Sequence, residues 1–138
     1  MNPIGLVPEL YCSNLEATLA FYVGVLGFKI NYQRDEEKFV YLEKNSAHMM
    51  FEQTGTGRNW ITGKLERPYG RGINFQIEVE QIDEFYKNIQ ERNIAIFMPM
   101  EEKWYRRNQD LVGNKQFLVQ DPDGYLLRFY ELLGVKPA

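Results

Sequence analysis

Apolar and polar residues alternate with a period of two along several short runs of this chain, most sharply near its C-terminal end. There Tyr125, Leu127 and Phe129 fall on one side and Leu126, Arg128 and Tyr130 on the other, the pattern of a half-buried strand. A second apolar run covers 116–120, and Asp121-Pro122-Asp123-Gly124 lies between the two. Proline presets φ at an early turn position and glycine accepts the positive φ that closes the turn, so the stretch predicts a β-hairpin.

The same reading carries through the rest of the chain. Residues 4–12 predict a strand with Leu6, Leu10 and Cys12 on one face and Val7, Glu9 and Tyr11 on the other. Pro8 has no N–H and marks an edge or an interruption. Ser13 or Asn14 is placed to cap a helix, in which Leu15, Leu19, Tyr22 and Leu26 recur at helical spacing before Gly27 ends it. Residues 28–33, 39–43 and 47–53 predict three strands. Residues 54–72 show no periodicity and hold five glycines and a proline, while Trp60, Leu65 and Tyr69 favour an ordered loop over a bare tether. A strand over 73–80, a helix marked by Ile82, Phe85, Tyr86 and Ile89, and strands over 94–98, 116–120 and 125–132 complete the chain. Residues 99–114 read as an insertion.

The halves repeat. One constant offset lays Val7 on Asn74, Glu9 on Gln76, Tyr11 on Glu78 and Leu15 on Ile82, so strand falls on strand and helix start on helix start. The expected architecture is α+β, with two tandem βαβββ modules over 4–53 and 73–133, a loop over 54–72, and one domain spanning 1–138.

Composition narrows the class. Of the 138 residues 44% are hydrophobic and 25% charged, values of a soluble globular protein. Net charge of −3 and a pI near 5.3 argue against nucleic acid as a partner and tolerate a cationic ligand. Cys12 is the only cysteine, which excludes an intrachain disulfide and suits a reducing cytoplasm. No apolar run approaches the roughly 18 residues that span a membrane. The expected setting is cytoplasmic.

Asn14-Leu15 through Phe21-Tyr22 to Leu26-Gly27-Phe28, Ile77-Glu78-Val79 through Ile82 to Tyr86, and the Asp121–Gly124 turn occur in an order that resembles the vicinal oxygen chelate superfamily. That group holds glyoxalases, extradiol dioxygenases and bleomycin resistance proteins. Glu78-Val79-Glu80 and Trp104-Tyr105 look most like the bleomycin resistance branch. The resemblance implies a curved, cleft-bearing mixed sheet with helices on its outer face, and a homodimer with grooves that take a small molecule.

Strand parity gives the inward set independently: Val7, Glu9, Tyr11, His48, Met50, Glu52, Asn74, Gln76, Glu78, Leu126, Arg128 and Tyr130. Such a face is also what an ordinary antiparallel sheet shows to water. In metal-dependent relatives four inward positions carry His or Glu; carried over, those positions are Val7, Met50, Asn74 and Arg128. Valine and methionine are no ligands for a hard cation and a guanidinium repels one. No cofactor, no native metal and no catalytic residue is therefore expected, although a displaced site at Glu9, His48 and Glu52 is conceivable. The expected ligand-binding residues are Glu9, His48, Glu52, Trp60, Glu78, Trp104, Tyr105 and Arg128. Trp60 and Trp104 would stack a planar group, and the carboxylates would face a cationic part of a bleomycin-like ligand. Arg106 and Arg107 weigh against a cation and favour an anionic metabolite. The rival expectation is an enzyme on a small oxygenated substrate, with Glu9 or Glu52 as acid–base and Arg128 holding an anion.

Overall fold

The computed structural model describes residues 3–138. The chain divides between Tyr69 and Gly70 into two compact units. In the first, β1 (Glu9–Cys12) leads into α1 (Leu15–Leu19), which continues as π-helical turns over Ala20–Val25. Strands β2 (Lys29–Arg34), β3 (Phe39–Lys44) and β4 (Ala47–Gln53) follow, and the sheet order is β1-β4-β3-β2. The second unit contains β5 (Asn74–Glu78), α2 (Ile82–Glu91), β6 (Ile96–Arg107), β7 (Asp110–Gln120) and β8 (Leu126–Pro137), in the order β5-β8-β7-β6. In each sheet the first strand runs parallel to the last and the other pairings are antiparallel. The repeat in the sequence is thus a repeat of topology, and the class is α+β with two βαβββ modules.

Local chemistry explains the element ends. The Asn14 side chain accepts from the Ala17 N–H at 2.9 Å and the Gln53 side chain accepts from the Leu15 N–H at 2.9 Å, so two free donors of the first helical turn are satisfied. The helix stops where Gly27 takes a φ of +83° and the Phe28 N–H returns to the Tyr22 carbonyl at 2.8 Å. Helix α2 is capped from a distance: Glu131 on β8 accepts from the Ile82 N–H at 3.1 Å. In the β7–β8 turn one oxygen of Asp121 accepts from the N–H groups of Asp123 and Tyr125 at 2.9 and 3.0 Å.

One face of each sheet is packed. In the first unit Leu10, Cys12, Leu42, Met49 and Phe51 are buried, and the Tyr22 ring sits edge-on to Phe28 at 5.4 Å and tilted against Phe51 at 4.7 Å. In the second, Ile77, Phe117, Leu127 and Phe129 are buried, with Phe85 of α2 edge-on to Phe129 at 4.9 Å. Aromatic pairs at this separation add to plain area burial.

The structure departs from the sequence reading at three places. Residues 4–8 are not strand; pairing begins only after Pro8, and Leu6 is 83% exposed rather than packed. Ile73, the first residue of the strand expected over 73–80, precedes β5 and is 53% exposed. Residues 99–114 are no irregular insertion but the long arms of β6 and β7, paired down to Arg107 and Asp110, and β8 runs beside them to Pro137. No helix among the described residues is long and apolar enough to cross a membrane.

Candidate functional site

Register brings a set of polar side chains together on the open face of the first unit. Tyr11 of β1 lies opposite Glu52 of β4, Glu52 opposite Phe39 of β3, and Phe39 opposite Arg34 of β2. Paired residues point the same way, so these four form one row across the sheet. Glu9, Met50, Tyr41 and Tyr32 form the next row. A cavity of about 340 Å³ opens over the first row, lined by Glu9, Tyr11, Arg34, Glu37, Glu52, Arg58 and Trp60.

The loop that walls this cavity is held by one phenol. Tyr11 donates its hydroxyl hydrogen to the Arg58 carbonyl at 2.6 Å and accepts from the Trp60 N–H at 3.0 Å. Thr56 fixes the loop's start: its one hydroxyl hydrogen is shared between the carbonyls of Gln53 and Glu37, which lie 2.8 and 3.1 Å from the oxygen. The Arg58 guanidinium lies 4.8 Å from the Trp60 ring centre, and Trp60 is 65% exposed.

Three carboxylates face two guanidiniums here. Arg34 donates to Glu37 at 2.6 Å and stacks 4.0 Å from the Phe39 ring centre, so Glu37 is neutralised locally. Glu52 is 8% exposed, and among the described residues no group donates a hydrogen bond to it. Burial is the main reason its pKa is raised; the Glu9 and Glu37 carboxylates push the same way, and Arg34 and Arg58 oppose them. A largely buried carboxylate without a donor in the protein is held at a cost unless it meets a proton, water or a cation. The site thus has one negative charge more than it has partners for.

His48 stands apart from the cavity lining. It lies opposite Glu43 in the β3–β4 ladder, its Nδ1 is 2.8 Å from the Tyr41 hydroxyl, and its Nε2 is 4.0 Å from Glu43. Burial, Tyr32 and Glu43 raise the Tyr41 pKa.

The remaining expected residues belong to the second unit. Arg128 and Glu78 share the β5–β8 face through the pairs Gln76–Arg128 and Glu78–Tyr130. Arg128 Nε donates to Gln116 Oε1 at 3.0 Å, and Gln116 Nε2 donates to Glu101 at 2.9 Å and to the Tyr105 hydroxyl at 2.7 Å. Tyr105 therefore belongs with Arg128. Trp104, its neighbour on β6, points to the opposite face, where its ring covers Gly113 and Lys136 Nζ lies 4.0 Å from its centre. The sequence pairing of Trp104 with Tyr105 is not a pairing in space.

No local sequence pattern shows the places of Arg34 and Glu37, which depend on a left-handed Lys38 and on the β2–β3 register, or that of Arg58, which depends on the loop that Tyr11 holds. Gln116 gave no signal beyond its strand parity. The positions that the resemblance implies for metal ligands do not carry them in this sequence: Val7 and Met50 offer no hard donor, and Arg128 has a guanidinium. Among the described residues no group of three or more His, Cys, Asp or Glu is arranged to hold a metal ion.

Comparison with known proteins agrees with this architecture. TioX from Micromonospora sp. ML1 is 20% identical, with 93% of this chain and 98% of that one covered and a TM-score of 0.71. A virulence protein from Salmonella typhimurium is 19% identical over 91% and 93% of the two chains, with a TM-score of 0.67. A glyoxalase/bleomycin resistance protein/dioxygenase from Alicyclobacillus acidocaldarius is 16% identical over 97% and 96%, with a TM-score of 0.65. These likenesses are of fold alone. No curated protein matches the chain. The sequence profile of one family does match, along residues 4–129, and on that match the chain belongs to the Glyoxalase/Bleomycin resistance protein/Dioxygenase superfamily.

Proposed function

We propose that this chain is a metal-free small-molecule binding protein whose first-unit cavity takes the cationic part of a ligand, with a planar part against Trp60. The observation that carries the reading is Glu52, a buried carboxylate lining the cavity with no hydrogen-bond donor of its own. A ligand ammonium or guanidinium supplies the missing charge and donor together, and charge-assisted bonds in a partly dry site are the strong ones. Glu9 shares the cation, and Trp60 offers a flat, exposed ring. Membership of a superfamily that includes bleomycin resistance proteins supports a cationic, ring-bearing ligand of that kind.

The test is a titration with bleomycin, followed by tryptophan fluorescence at low salt. Saturable binding at micromolar concentration is expected, weakened about tenfold or more by Glu52→Gln, the scale of one lost charge-assisted bond. Unchanged affinity in Glu52→Gln, or no saturation with bleomycin or with simpler aromatic amines, removes the reading. We also propose a homodimer, since two-fold pairs are the commonest soluble assemblies and Leu132, Leu133 and Val135 at the end of β8 stay exposed. Light scattering that shows only a 16.3 kDa species at micromolar concentration contradicts it.

The raised pKa of Glu52 beside Glu9 favours a second reading. A carboxyl whose pKa is pushed up by burial is suited to general acid–base work on a small oxygenated substrate. The two readings part on one measurement: a bound ligand recovered chemically unchanged supports sequestration, and a converted one supports catalysis.

A further inference from the structure

The second unit holds an arrangement that the cavity reading does not use. Arg128 is half-buried on β8, and its Nε is fixed by the side chain of Gln116, which is 2% exposed. Gln116 is in turn fixed, because both hydrogens of its amide are taken, one by Glu101 and one by the Tyr105 hydroxyl. The guanidinium carbon lies 5.5 Å from the Tyr105 ring centre. Side chains from β6, β7 and β8 thus orient one guanidinium. Among the described residues Arg128 forms no ion pair, and its two terminal nitrogens have no acceptor in the protein. The chain carries 19 acidic residues against 16 basic ones, so a shortage of carboxylates does not explain this. Glu101 reaches Arg128 only through Gln116.

We infer that Arg128 is an oxyanion-binding position on the second unit, taking a carboxylate or phosphate group end-on through its two terminal nitrogens. A planar fork with its Nε already satisfied offers two parallel N–H donors, the geometry that matches two oxygens of such a group. The buried amide removes rotamer freedom that a free arginine would lose on binding, which lowers the entropy cost. A solvated arginine needs no such support. The site goes beyond the first-unit cavity and does not depend on it.

The experiment is a titration of the whole chain with sodium phosphate, and separately with sodium acetate, at constant ionic strength. The side-chain N–H resonances of Arg128 and Gln116 are followed by NMR. Both are expected to move together to a plateau, while Arg107, already paired with Asp110 at 3.0 Å, drifts without one. Saturation with phosphate alone assigns a phosphate-bearing ligand, and saturation with acetate a carboxylate; either supports the site. Gln116→Leu keeps the arginine but releases it, and should weaken binding about tenfold, as for one lost charge-assisted bond. Tyr105→Phe, a gentler change at a more exposed position, should weaken it about threefold. Arg128→Lys keeps the charge and should not restore saturation. Glu52→Gln should leave the anion titration unchanged while weakening the cation response about tenfold or more, which separates this site from the cavity. A linear drift of Arg128 with both anions, or wild-type saturation in both Gln116→Leu and Tyr105→Phe, overturns the proposal.

Discussion

The Tyr11 hydroxyl joins strand β1 to the peptide of Trp60, 49 residues on, accepting its N–H at 3.0 Å while donating to the Arg58 carbonyl at 2.6 Å. A loop that sequence shows only as aperiodic is thereby given a fixed edge over the cavity. Tyr11→Phe keeps the ring and removes both bonds. It is expected to destabilise by about 1 kcal/mol, the net worth of partly exposed neutral hydrogen bonds, and to lower the fluorescence anisotropy of Trp60. Affinity for the cationic ligand should fall about fivefold, because the wall must be ordered on binding. Wild-type affinity in this variant would mean that the loop does not need its anchor.

Glu52 supplies the pH prediction. Its folded-state pKa lies above the ordinary value of 4.5, so the folded chain holds this proton more tightly than the unfolded chain does. The penalty of the ionised form is absent below that ordinary value, grows as pH rises through the raised one, and is constant above it. Glu52→Gln removes it. The variant should match wild type in urea unfolding at pH 4 and exceed it at pH 7. Cation binding by wild type should strengthen over the same window, since only the carboxylate attracts a cation. Equal stability of the two proteins at both pH values would show that Glu52 ionises without penalty.

Strand parity and turn chemistry made much of this readable in advance. The alternation over 125–130 and the Asp-Pro-Asp-Gly turn locate β7 and β8, because a half-buried strand must alternate and the turn needs a positive φ, met by Gly124 at +100°. Parity also put Glu9, Tyr11, His48 and Glu52 on one face, as the ladder does. What parity lacks is register. Which residue of β2 lies opposite Phe39 depends on the irregular step between Ile30 and Tyr32 and on the left-handed Lys38, and nothing local to Arg34 announces either. The same gap hid Gln116, whose meaning comes from neighbours on two other strands. Residues 99–114 misled for a different reason: charged residues crowd both faces of β6 there, so no apolar side marks the strand.

A Cβ placed on Gly113 of β7 would stand 2.7 Å from three carbons of the Trp104 ring on β6, well inside contact distance. Glycine at this pairing position lets the indole lie flat on the ladder, where Lys136 stacks at 4.0 Å. Gly113→Ala must push the ring off its seat and should cost about 1–3 kcal/mol, the range for overpacking. In a Trp104→Ala background the same change meets no ring and should cost less than about 0.5 kcal/mol, leaving a coupling energy above 1 kcal/mol in the double-mutant cycle. Thermal or urea unfolding of the four proteins measures all of these. If the two changes are additive, the indole does not depend on the absent side chain, and Trp104 is free to stack a ligand instead of its own strand.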